Sequence, residues 1–106
     1  MAVLWPTDYA ISPNFSDNAA FQLIRERQFE AALSAMESFV ETYPDSDLVL
    51  DARFWRGQVF DVLGRDQEAI EAFKSLTLVA PDYRRILQVK VKLLLQEYIE
   101  SNHLYQ

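Results

Sequence analysis

The strongest constraint on this chain is a repeat. A shift of 37 residues lays Pro44 on Pro81, Ala32 on Ala69, Leu33 on Ile70, Met36 on Phe73 and Phe39 on Leu76. The same shift lays Ala20 on Gly57 and Leu23 on Phe60. A period in the thirties, carrying apolar residues at helical spacing and closing on a proline, describes stacked helical hairpins. The small residues at Ala20 and Gly57, and again at Ala32 and Ala69, allow two helices to approach closely. Only two glycines and four prolines stand in 106 residues, too few for the turns of an all-β fold.

The spacing predicts an all-α chain: a short helical solenoid of five antiparallel helices, two hairpins plus a C-terminal helix. Residues 1–11 form an N-terminal arm with no helical period, interrupted by Pro6. Its Trp5, Tyr9 and Ile11 either pack over the helical body or dock in a groove. Residues 12–106 form the helical domain, with units about 12–44 and 46–81 and a terminal helix about 82–101. The first helix starts at Ser12, which precedes Pro13, or at Ser16, since either hydroxyl can cap it. The second covers about 29–42, where Phe29, Ala32, Leu33, Met36, Phe39 and Val40 share a face. Tyr43-Pro44 ends it. The third covers about 47–63 and the fourth about 66–79, with Gly64 suited to a left-handed turn between them.

The second unit resembles the tetratricopeptide repeat (TPR), whose signature is W-x2-L-G-x2-Y, then A-x3-F, then P. Gly57, Phe60, Ala69, Phe73 and Pro81 match it, while Arg53 stands for the Trp and Arg56 for the Leu. In the first unit Arg27 replaces the turn glycine and Met36 the aromatic. YPDS and FWRGQ, with the 37-residue spacing, are similar to TPR units of bacterial envelope proteins of the Tol–Pal-associated type.

Composition closes off several functions. A net charge of −6 disfavours nucleic acid and anionic lipid. No apolar run reaches the ~18 residues of a membrane span. There is no cysteine and one histidine, His103, so a zinc site would need three carboxylates. Asp45, Asp47 and Asp51 have a calcium-like spacing but lack the loop glycine and distant glutamate, and read as helix caps. Glu68 and Glu71 near Lys74, and Asp61 four residues before Arg65, read as surface pairs. Arg84, Arg85, Lys90 and Lys92 are the one basic cluster, either a solvated face or a strip for an acidic partner. No phosphate loop or elbow nucleophile is present. The expectation is a non-enzyme without metal or cofactor. MAVLWPTDYAISP has neither the basic start nor the apolar stretch of a signal peptide. The chain as written is therefore expected in the cytoplasm, or in the periplasm if it is a fragment of an exported protein.

The resemblance implies a protein partner held by the first helix of each unit. The concave positions it points to are Phe21, Ile24, Phe54, Gln58, Asp61 and Lys92, with Asp17, Gln88 and Leu95 beside them. Asp17 and Phe21 stand where carboxylate-clamping members carry Lys and Asn, so the groove is expected to take an apolar or amphipathic segment. The alternative is a homo-oligomerisation module. The fifth helix carries Leu87, Val91, Leu94, Leu95 and Tyr98 with no polar outer face, which marks an interface.

Overall fold

The computed structural model describes Phe15 and residues 18–104, the side chains as far as Ser101. The N-terminal arm, Ser12, Ser16, Asp17 and the side chain of His103 lie outside the described residues. Among the described residues five helices follow in order: α1 Ala19–Arg25, α2 Phe29–Thr42, α3 Val49–Val62, α4 Asp66–Val79 and α5 Ile86–Leu104. Each packs on the next in sequence. The body is long and thin, 58 × 29 × 18 Å, as a stack of hairpins should be.

Helix starts differ from expectation. α1 begins at Ala19, past both serines, and its cap is Asn18, whose Oδ1 accepts the Ala20 N–H at 2.8 Å. α3 begins two residues later than predicted, after Ser46 Oγ has accepted the Leu48 N–H at 3.1 Å. α5 begins at Ile86, because residues 80–86 first make two turns, Tyr83 N–H to Ala80 O and Ile86 N–H to Tyr83 O. The same two turns occur 37 residues earlier at Ser46 and Val49.

The hairpin turns repeat as well. Gln28 N–H bonds Leu23 O and Arg65 N–H bonds Phe60 O, both at 2.9 Å, the six-to-one bond that closes a helix on a left-handed residue. That residue is Gly64 in the second turn (φ 76°) and Arg27 in the first (φ 60°). Arg27 thus holds a conformation that costs an L-residue about 1–2 kcal/mol.

One apolar cluster runs the length of the stack. Ala20, Ala32, Met36 and Phe39 are buried in the first unit, and Ala69, Phe73, Leu76 and Phe60 in the second. α3 and α4 approach closely at Gly57, where a Cβ would lie 2.7 Å from the Phe73 ring. The first unit solves the same contact differently, with Ala20 and the slimmer Met36 in the equivalent places. Gly57→Ala is therefore expected to destabilise by up to about 2 kcal/mol. The overpacking cost of ~1–3 kcal/mol exceeds the ~1 kcal/mol gained in helix propensity. Urea unfolding followed by circular dichroism reads this as a lower midpoint; an unchanged midpoint would mean the ring yields.

Candidate functional site

The odd-numbered helices share one layer. The Phe21 ring on α1 meets the Trp55 ring on α3 edge-on, with centroids 4.9 Å apart. Lys92 on α5 donates to Asp61 on α3 at 3.2 Å. Phe21, Ile24, Trp55 and Gln58 are all partly exposed on this layer. The layer therefore presents an aromatic and aliphatic strip with an ion pair at its α3/α5 end. Among the described residues the Gln58 Oε1 is buried and accepts no hydrogen bond.

Phe54 requires a correction. It is 0% exposed and belongs to the core, not to an open groove. Its ring packs against Phe73 and Tyr83, and the Arg85 guanidinium lies 5.2 Å from its centroid. The residues between α4 and α5 have folded over it. They are tied down one turn earlier on α3, where Asp51 is 3% exposed. The Asp51 carboxylate accepts the Tyr83 hydroxyl on Oδ1 and the Arg84 guanidinium on Oδ2, the latter at 2.8 Å. Burial, and then the bond to Asp51, raises the Tyr83 phenol above its ordinary range. Asp51 also lies in the first turn of α3, where the helix dipole favours a negative charge. It is a structural anchor and not the cap of α3. Among the described residues no three potential metal-ligating side chains gather.

Other expected pairings moved. Asp61 pairs with Lys92 and not with Arg65; Arg65 instead takes Glu68 at 2.7 Å and Glu30 at 3.5 Å. The basic cluster is largely occupied: Arg84 serves Asp51, Lys92 serves Asp61, and Arg85 lies over Phe54 and Trp55. Arg56, standing at the Leu of the signature, lays its guanidinium 4.9 Å from the Phe60 ring and reaches Glu37 at 3.5 Å. Trp55 was not among the expected groove positions. Its edge contact with Phe21 brings it there, and its place one residue after Phe54 is the only sequence signal for it.

The apolar residues expected on the outer side of the last helix are exposed. Leu87, Val91, Leu94, Leu95 and Tyr98 are between 47% and 71% exposed, and Ile99 adds to them. The opposite side of α5 holds Val89, fully buried, with Ile86 and Leu93 against the core.

Two stacked hairpins with this spacing and this shared layer define a helical-repeat scaffold of the kind that holds other proteins. The tetratricopeptide repeat profile matches residues 18–46 and 51–83, more than half of the chain, and the protein belongs to that family. Two curated relatives, both named Cell division coordinator CpoB and both from Pseudomonas putida (one from strain KT2440), are 38% identical over 42 residues. The matched stretch covers 40% of this chain and 16% of each relative. No solved structure matches the chain significantly. Among the described residues no helix is long and apolar enough to cross a membrane.

Proposed function

We propose that the protein is a non-catalytic adaptor that holds an apolar or amphipathic segment of another protein against the α1/α3/α5 layer. The observation that carries this reading is the partly exposed strip of Phe21, Ile24 and Trp55 across α1 and α3, with the half-buried Gln58 beside it. The neighbouring rings supply apolar contact, and Asp61 with Lys92 supplies a polar rim. Phe54 supports the strip from beneath and does not touch the segment. The resemblance to envelope TPR proteins, with the partial match to a cell division coordinator, favours a bacterial periplasmic setting over a cytoplasmic one.

A displayed library of random peptides of about 12 residues, selected on the full chain, tests this. Enriched peptides should carry apolar residues at helical spacing. Gln58→Ala, which removes a half-buried side-chain amide from the strip, should weaken their binding about ten-fold while leaving the thermal midpoint nearly unchanged. No enrichment, or binding indifferent to both Gln58→Ala and the blocking Gln58→Arg, would overturn the reading.

A further inference from the structure

The exposed side of α5 is a heptad seam. Leu87, Val91, Leu94 and Tyr98 follow the alternating four- and three-residue steps of the d, a, d, a positions. The buried Val89 and the half-buried Ile86, Leu93 and Gln96 fall on the opposite c and f positions. The seam is flanked on one side by Lys90 and Glu97, both exposed and both at g positions, seven residues apart. On its other side stand Gln88 and Leu95 at e.

We infer that this seam pairs with the same seam of a second copy, antiparallel about a twofold axis. Charge complementarity selects that occupant and that orientation. In an antiparallel pair with Val91 against Leu94 of the other copy, g faces g, so each Lys90 meets a Glu97 and the pair occurs twice by symmetry. A parallel pair would set Lys90 against Leu95 and leave both charges unmatched. The repeat also disfavours a further close-packed hairpin helix here. The place of Gly57, where α4 approaches α3, is taken on α5 by Leu94, and the place of Phe60 by Glu97. With these side chains half to two-thirds exposed, pairing would cover on the order of 1,200 Å² in all, the low end of specific interfaces. The inference uses a different face from the adaptor groove and stands or falls separately.

Sedimentation equilibrium of the full chain from about 5 to 500 µM is the test, with circular dichroism confirming that each variant is folded. Wild type should reach a dimer and no larger species. Leu94→Glu should remain monomeric. Lys90→Glu should weaken association about ten-fold or more by setting like charges together, and Lys90→Glu with Glu97→Lys should restore it. A wild type monomeric across the whole range overturns the inference. So does a dimer that Leu94→Glu leaves intact, or one indifferent to the charge changes. A chain that dimerises only after residues 1–14 are removed also overturns it, giving the seam to that segment.

Discussion

Phe54→Ala is expected to destabilise the fold by about 3–5 kcal/mol, the usual cost of emptying a buried aromatic site. The ring is fully enclosed by Trp55, Phe73 and Tyr83, with Arg85 over its face. Its removal leaves a cavity at the junction of α3, α4 and the entry to α5. Domains of this size hold ~5–15 kcal/mol in all, so a large part of the stability would go. The melting temperature should fall by roughly 15 °C or more, at ~4–8 °C per kcal/mol. A variant that melts like wild type yet loses peptide binding would show Phe54 to be the groove residue that the family resemblance implied.

Asp51→Ala is expected to cost about 2–3 kcal/mol, because it strands the Tyr83 hydroxyl and frees the Arg84 guanidinium. The figure sits at the low end for a buried ion pair because Arg84 is largely exposed and screened. Asp51→Asn, which keeps an acceptor, should lose less. The bond also has a pH signature. The Tyr83 phenol in the folded chain ionises above its ordinary value of about 10. Its contribution is therefore complete below that pH and is lost as the pH rises above it. Urea midpoints measured at neutral pH and above pH ~10 read both effects. Equal stability of Asp51→Ala and wild type at neutral pH would contradict the anchor.

Most of the scaffold could be read from the chain because its punctuation repeats. Pro44 and Pro81 end helices at matching points, and Arg27 stands where the second unit has Gly64; that Arg27 takes the same left-handed conformation is seen only in the structure. The exposed seam of α5 was also legible, since Leu87, Val91, Leu94 and Tyr98 keep a helical period that the buried Val89 does not share. Local pattern carries no information about what crosses over a helix from elsewhere. Tyr83, Arg84 and Arg85 lie in a stretch without period, 29 or more residues beyond Phe54, so their closing over it could not be seen. Asp51 looked like one more carboxylate in an acidic capping run. Asp61 had a cation four residues away in sequence, but the stacking of α5 on the repeat supplied Lys92 instead. Trp55 reached the candidate site only through its edge contact with Phe21.

The most direct test of the adaptor reading is a titration of the labelled protein with a library-selected peptide, followed by amide and indole NMR shifts. The account predicts changes centred on Phe21, Ile24, the Trp55 indole and the Gln58 side-chain amide, with α2 and the outer face of α4 unmoved. Shifts confined to α2 and α4, or to the α5 seam around Leu94, would contradict it.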